Sequence, residues 1–463
     1  MQLRPYQIEA KRWTYKSLKK HSRTMLQLPT GAGKTITFVD ITRDYLKWNK
    51  KVMILVHRKE LIEQTIDKLF RFNMQCSVIQ RDFLYKHYAK VHVASVPTLA
   101  SRISKGRMLP KDIDLIICDE AHHSTANSYR KIYEYYNTAQ LLGVSATPCR
   151  TNGEGFEDIF NDLVVGTSVS DLIKIGHLVK PKVIANPLSF DLKTIKLTAG
   201  EFNAKELSEA INKNITFGDY VRTWELKAKG LKTVVFANDV EHSQKIVELY
   251  NKAGYPAEHI DGTTPKEQRK QTLKNFATGK TTILSNVGIV TEGFDVPEIE
   301  CVQLTKPTTS LSLYLQMVGR GLRPAQGKEA CIILDHADNV FSHGFPEQDR
   351  KWTLKGKKIK KNEKPQYKIR DKRTGKIFER NQLPEHLTDF ELVEVTANDA
   401  RIKYLHKLIS VSRYKKFKIG WAWHCFLDKY KIPTAEECKS FERIAGYKIG
   451  WAKHQQRKFG LIK

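Results

Sequence analysis

Two series of short apolar runs constrain this chain more than any other feature. The first series is MLQLP (25–29), KVMILVH (51–57), VHVASV (91–96), DLIICDE (114–120) and LLGVSAT (141–147). The second is TVVFAND (233–239), AEHIDG (257–262), TTILSNV (281–287), VQLTKP (302–307) and ACIILDH (330–336). Longer amphipathic segments such as RKELIEQTIDKLFRF lie between them. Continuous apolar runs joined by helical crossovers are the signature of strands buried on both faces of a parallel sheet. A chain of 463 residues also exceeds what one core serves. The fold class is therefore α/β, with two parallel-sheet domains in tandem. The join is expected between Pro148 and about Val183, where TPCRTNGEG is polar and contains glycine.

Beyond about Phe345 the pattern changes. From Lys351 to the end there are 29 Lys and Arg against 12 Asp and Glu, a net +17 out of a total of +28. Such a surface attracts polyanions and binds them in a salt-sensitive way. Residues 351–366 are expected to be a linker or a phosphate-contacting strap, and 366–380 a basic hairpin turning near Thr374-Gly375. Further on, KIGWA occurs at 418–422 and again at 448–452. Each copy follows a helical stretch, so the repeat reads as two helix–turn–helix hairpins with Trp421 and Trp451 as shared wedges. Lys415, Lys416, Lys418, Lys448 and Lys453 are candidate phosphate contacts; His424 and His454, at equivalent positions, are read as structural. Seven cysteines form no CxxC pair, and no apolar run reaches membrane-spanning length. A soluble, intracellular, cytoplasmic protein without structural zinc is the expectation.

Chemistry enters at Thr30-Gly31-Ala32-Gly33-Lys34-Thr35, which follows one apolar run and opens a helix. Glycines there let backbone N–H groups turn onto phosphates at a helix N-terminus. Lys34 is expected to reach the β- and γ-phosphates of a nucleoside triphosphate, and Thr35 to hold Mg²⁺. The general pattern asks for glycine at 28, where this chain has Leu28. Asp119 and Glu120 close a later apolar run. Such an aspartate can hold the metal through water, and the adjacent glutamate can polarise the attacking water. Helix starts are marked too: Thr264-Pro265-Lys266-Glu267 offers an N-cap, a first-turn proline and a capping-box glutamate.

Taken in order, these motifs resemble the superfamily 2 helicases and translocases, over residues 3 to 340. Asp119-Glu120-Ala121-His122 is similar to the DEAH box of that superfamily. Arg4-Pro5-Tyr6-Gln7 resembles its adenine-recognition segment, with Gln7 as reader of the base. Ser145-Ala146-Thr147 resembles the motif coupling hydrolysis to domain movement. Thr291-Glu292-Gly293-Phe294-Asp295 resembles motif V, and Gln316 to Arg323 resembles motif VI. Arg320 and Arg323 lie three apart on a predicted helix and share a face, from which a guanidinium can reach the γ-phosphate.

The resemblance implies RecA-like domains at 1–165 and 166–345, then a basic, mainly helical C-terminal domain at 346–463. It implies catalytic roles for Lys34, Asp119, Glu120, Gln316, Arg320 and Arg323. Nucleotide contacts would come from Arg4, Gln7, Thr30 to Thr35, Gly293 and Asp295. Phosphate contacts along a single strand would come from His57, Arg58, Ser95, Thr98, His259, Thr263 and Thr291, none of which reads sequence. The repeated tail resembles RadD-like and UvsW-like helicases of bacteria and phages, which implies unwinding or branch migration of forked and junction DNA in repair, recombination or replication; a monomer is expected. RadD-like proteins carry a cysteine zinc module where this chain has the cysteine-free basic hairpin. An RNA helicase with the same motor, or a nucleic-acid clamp using ATP as a switch, are the alternatives. A restriction-type motor is a third, for which no nuclease constellation is visible.

Overall fold

The computed structural model describes residues 2–81, 86, 88–149, 154–185, 192–198, 200–214, 218–290 and 296–355. Beyond these it describes 368–371, 377–379, 390, 391, 393, 394, 405, 420–430, 433, 437–439, 441, 442 and 451–458. The first lobe is built from α1 (Pro5–Lys20), β1 (Arg23–Gln27), α2 (Lys34–Lys47), β2 (Val52–Val56), α3 (Lys59–Arg71), β3 (Ser77–Ile79) and β4 (Val91–Ser95). It continues through α4 (Val96–Ser104), β5 (Leu115–Asp119), α5 (Asn127–Tyr135), β6 (Gln140–Ser145) and β7 (Asp162–Val165).

All seven strands are parallel, in the order β3-β4-β2-β5-β6-β1-β7. Every residue of β2 and β5 is buried, which explains why those segments are apolar throughout rather than alternating. Two strands escaped the sequence reading. β3 is only three residues long, and β7 lies inside the polar stretch expected to be the join. The strand order matters for function because β6 sits between β1 and β5, with Ser145 level with Gln27 and Val144 level with Asp119. The loops leaving these three neighbours therefore emerge side by side at the carboxyl edge of the sheet, where open α/β sheets bind ligands.

After α6 (Val169–Lys174), the second lobe repeats the plan with β8 (Lys180–Ala185). A small insertion then holds β9 (Leu197–Thr198), β10 (Glu201–Phe202) and α7 (Ala204–Asn214). The lobe resumes with α8 (Gly218–Ala228), β11 (Thr233–Phe236), α9 (Val240–Lys252), β12 (Ala257–Ile260), α10 (Lys266–Ala277), β13 (Ile283–Asn286), β14 (Cys301–Leu304), α11 (Leu311–Gly321), β15 (Ala330–Asp335) and α12 (Asn339–His343). Its strands β12-β13-β11-β14-β15-β8 are again parallel. All five runs of the second series are strands. The two α/β sheets are the architecture expected. The insertion was not foreseen; it closes its own small core from Leu192, Leu207 and Ile211.

Two expectations need correcting. Thr264 does not cap α10, whose N-cap is Pro265 and carries no side-chain cap bond. Instead the Asp261 carboxylate accepts from the backbone N–H groups of Thr263 and Thr264 and from both hydroxyls, which closes a turn before the helix starts. The segment after 351 is also more than a free linker at its start. The Phe156 N–H donates to the Leu354 carbonyl (2.7 Å), and Leu354 packs against the core of the first lobe. The half-buried Arg350 donates to the carbonyls of His343, Phe345, Pro346 and Gln348 and so fixes the turn after α12, from which Leu354 brings the chain back to the first lobe.

Compactness divides the chain into Met1–Leu392 and Val393–Lys463, a later division than the expected start of the tail at 346. In the first unit, β16 (Lys368–Asp371) and β17 (Ile377–Glu379) pair antiparallel with Ile369 opposite Phe378, as expected of the hairpin. β18 (Phe390–Glu391) adds antiparallel to β16, and the turn between β16 and β17 lies outside the described residues. In the second unit, helices Gly420–Tyr430 and Trp451–Lys458 begin within the two KIGWA copies. The side chains of Trp421 and Trp451 lie outside the description, as do Lys415, Lys416, Lys418, Lys448 and the side chain of Lys453. The described core centres on Trp423, which stacks on Phe426 (5.6 Å) and meets Phe441 (4.9 Å). His424 and His454 are exposed, so neither packs into that core. Among the described residues no helix is long and apolar enough to cross a membrane.

Candidate nucleotide and nucleic-acid site

The phosphate loop forms where β1 runs into α2. Gly31 and Gly33 adopt φ of +85° and +80°, left-handed values that only glycine takes without strain. A Cβ at Gly33 would stand 2.3 Å from the Gln7 amide nitrogen. Leu28, in place of the usual first glycine, is fully buried, and its N–H donates to the Ser145 carbonyl (3.0 Å). The side chain thus fills core volume below the loop and does not obstruct it.

Gln7 is 4% exposed and lies against this loop. Its amide oxygen accepts from Arg4 N–H (2.9 Å), and its amide nitrogen donates to the Ala32 carbonyl (3.0 Å). An amide holds two donors and two lone pairs, so one of each remains for an adenine edge. The Tyr6 hydroxyl also donates to Ala32 (3.0 Å), a support that sequence reading missed.

Opposite the loop, Lys34 Nζ stands 3.8 Å from Glu120 Oε1. Asp119 is buried; that burial, with the Glu120 charge beside it, pushes its carboxyl up to about 6 against the pull of Lys34. Two adjacent, largely dry carboxylates next to a glycine cradle call for a cation, and the donor set is the hard-oxygen kind that suits Mg²⁺. Glu120 itself takes φ +48°, a strained value for a non-glycine residue and one that recurs at functional sites. His122 Nδ1 lies 3.4 Å from both Glu120 Oε2 and Ser145 Oγ.

The second lobe closes on the same loop through α11. A Cβ at Gly319 would fall 2.5 Å from Thr30 Cβ and Cγ2, and one at Gly31 would meet Arg323 Cγ at 3.8 Å. The Thr147 hydroxyl donates to Ser312 Oγ (2.6 Å), joining the Ser145–Thr147 segment to the start of α11 with both groups buried. Gln316 and Arg320 lie in that helix and are 4% and 8% exposed. The start of α11 is held from below. Glu201 of the insertion accepts from the Thr308 hydroxyl (2.6 Å) and the Thr309 N–H (2.8 Å), just ahead of the N-cap Ser310. Ser312 and Glu201 carried no sequence signal, because both act through contacts remote in the chain.

The candidate strand contacts divide. His57 and Arg58 follow β2, Ser95 ends β4 and Thr98 lies in the first turn of α4, on the same carboxyl edge; the Arg58 guanidinium donates across to the Gly288 carbonyl of the second lobe (2.9 Å). His259 is different. Its ring nitrogens lie 2.7 Å from Ser243 Oγ and 3.0 Å from Asp261 Oδ2, so both are engaged internally. Despite its burial, Asp261 is held well below the carboxylate range by hydrogen bonds from His259 and Thr263. His259 and Thr263 thus serve a turn, which corrects their reading as phosphate donors. Thr291, Gly293 and Asp295 lie outside the described residues.

Comparison with known proteins gives two family matches. The family described as "Type III restriction enzyme, res subunit" matches residues 1–150, and "Helicase conserved C-terminal domain" matches residues 212–325. A 51.5 kDa protein of a Lactococcus phage (isolate 7-9) is 33% identical over 328 residues, spanning 71% of this chain and 68% of the phage protein. A Saccharomyces cerevisiae protein assigned as the ATP-dependent helicase IRC3 is 33% identical over 356 residues, spanning 72% of this chain; the chain spans about half of that relative (51%). Among solved structures, a fragment assigned as the HsdR subunit of a type I restriction enzyme from Vibrio vulnificus YJ016 superposes with a TM-score of 0.58 at 22% identity, over 74% of this chain and 67% of that one.

Proposed function

We propose that this chain, which belongs to the superfamily 2 helicases and carries their ATP-dependent nucleic-acid motor, is a DNA helicase or translocase acting on forked and branched DNA. The observation that carries the reading is the approach of α11 to the phosphate loop, with Gly319 against Thr30 and Arg323 against Gly31. A site shared between lobes makes hydrolysis depend on closure, and closure is what moves two grips along a strand.

The residues suit named tasks. When bound, ATP and Mg²⁺ supply the scissile phosphoryl group and neutralise its charge. Lys34 and the N–H groups of Gly31 to Lys34 would hold the β- and γ-phosphates, while Thr35 and Asp119 would hold the cation. Glu120, whose two oxygens are flanked by Lys34 and His122, would polarise water. Gln316, Arg320 and Arg323 would present donors from the second lobe, with an arginine stabilising charge as the phosphoryl group transfers. His57, Arg58, Ser95 and Thr98 remain candidates for gripping a strand by its phosphates. The DEAH-like order of Asp119 to His122 fits this assignment.

DNA forks as substrate rest on the tail: a net charge of +17 beyond residue 350, and a paired β16–β17 hairpin that is a candidate separation wedge. A chain truncated after Lys355 keeps the packed return of Leu354 and removes the hairpin and the basic helices. It should retain ATP turnover but lose about tenfold or more in affinity for forks at moderate salt, given the counterions a basic surface releases. Equal fork affinity with and without those residues would end this reading, and stimulation by RNA duplexes alone would transfer the motor to RNA.

A second reading, a translocase that tracks intact duplex, is favoured by the restriction-enzyme family match over residues 1–150. Displacement of a triplex-forming strand from unbroken duplex, without strand separation, selects it.

A further inference from the structure

The second strand of the first lobe runs beside the strand that carries Asp119, with Leu55 level with Cys118. The two loops therefore leave the sheet together, and three imidazoles meet between them. His57 packs on His123 with ring centroids 4.5 Å apart, and His123 packs on His122 at 4.1 Å. His122 in turn lies 3.4 Å from Glu120 Oε2. The turn beneath is tight: the His123 N–H donates to the Glu120 carbonyl (3.0 Å) and the Ser124 N–H to the Ala121 carbonyl (3.0 Å). A force on the His123 ring is thus delivered to the backbone that sets Glu120, a residue already in a strained conformation. At the far end, Arg58 follows His57 directly and reaches the Gly288 carbonyl of the second lobe.

We propose that the His57–His123–His122 stack links the strand-gripping edge to Glu120, so that DNA held beside Arg58 sets the carboxylate for hydrolysis, with His123 as the positioning residue in the middle. The link rests on the DNA-motor reading above. It accounts for a feature that reading leaves unused, a histidine following the DEAH-like segment and packed between its neighbours. Aromatic faces suit this task because tilted and offset pairs resist displacement while leaving ring edges to make hydrogen bonds. The contacts of His123 described above run to His57, His122 and the Glu120 carbonyl. Its effect is expected in the coupling and not in either binding step.

The test compares His123→Leu, which keeps bulk without a ring face, with His123→Phe, which keeps the face. For each, steady-state ATPase is measured with and without a poly-dT oligonucleotide, and oligonucleotide affinity by anisotropy. The ratio of stimulated to basal turnover should fall about tenfold in His123→Leu and stay within about threefold of the unmodified chain in His123→Phe, with affinity unchanged in both; one coupling contact carries an effect of this order. If His123→Leu loses its melting transition, His123→Gln carries the same expectation. An undiminished ratio in His123→Leu overturns the link, as does an equal fall in both variants. A parallel loss of DNA affinity overturns it as well, because it makes His123 a direct contact. If the unmodified chain is stimulated by no nucleic acid, the motor reading itself has failed, and that outcome is separate because it is read before any substitution.

Discussion

The approach of Gly319 to Thr30 makes one substitution unusually informative. In Gly319→Ala the new methyl would lie 2.5 Å from two carbons of Thr30, whereas ordinary contact begins near 3.4 Å. Relief requires the lobes to part by about an ångström, and forced overpacking of this kind costs about 1–3 kcal/mol. Read as a shift away from the closed pair of lobes, that cost lowers turnover by about 5- to 150-fold. Alanine is favoured over glycine in a helix interior by about 1 kcal/mol, so α11 on its own gains from the change. The clash lies between lobes and is relieved by opening, so the melting temperature should hold. The assay is steady-state ATPase at saturating ATP and DNA beside a thermal melt. Thr30→Gly, alone and combined with Gly319→Ala, completes a double-mutant cycle in which the pair should couple by about 1 kcal/mol or more. Turnover within twofold of the unmodified chain, at an unchanged melting temperature, would refute the closed arrangement as the one that hydrolyses ATP.

Other substitutions probe the same motor and its stability. Lys34→Ala should abolish ATP turnover while leaving oligonucleotide affinity within about threefold, since its ammonium serves phosphate binding only; turnover that persists removes the phosphate-loop assignment. Arg320→Ala should bind nucleotide but slow hydrolysis by about 10³-fold or more, the usual magnitude for an arginine finger, as single-turnover assays would report. His336 tests the second lobe, where burial drives the imidazole down to about 3 from its ordinary 6.5. It stays neutral in the folded chain while the unfolded chain takes up a proton below 6.5, so its contribution is complete above that pH and is lost as pH falls. Between pH 6.5 and 5 the loss is about 2 kcal/mol. Denaturant melts should show His336→Gln sparing that share; identical pH slopes for the two chains would count against a buried neutral imidazole.

Much of the site is legible along the chain because its chemistry is local. Lys34 and Thr35 follow the glycines that turn the loop, and Asp119 and Glu120 end one apolar run, so spacing alone brings them forward as candidates. Reading failed where a side chain's partner decides its task. His259 looks like a phosphate donor until Ser243 and Asp261 are seen to occupy its ring, and Thr264 looks like a helix cap until Asp261 claims its N–H. Leu354 sits in a basic stretch yet packs on the first lobe's core. Glu201 lies in an insertion with no motif at all, but it holds the start of α11.

Apolar periodicity and glycine placement determined, from sequence alone, that this chain forms two parallel sheets and one glycine-turned loop between strand and helix, because burial and backbone sterics act over a few residues. Tertiary structure decided which groups face that loop. Thr147 reaches Ser312 across 165 positions, and Arg58 reaches Gly288 across 230, distances at which no periodicity carries information. Those contacts arise from the order of strands in each sheet and the packing of one lobe on the other, and both are properties of the assembled molecule.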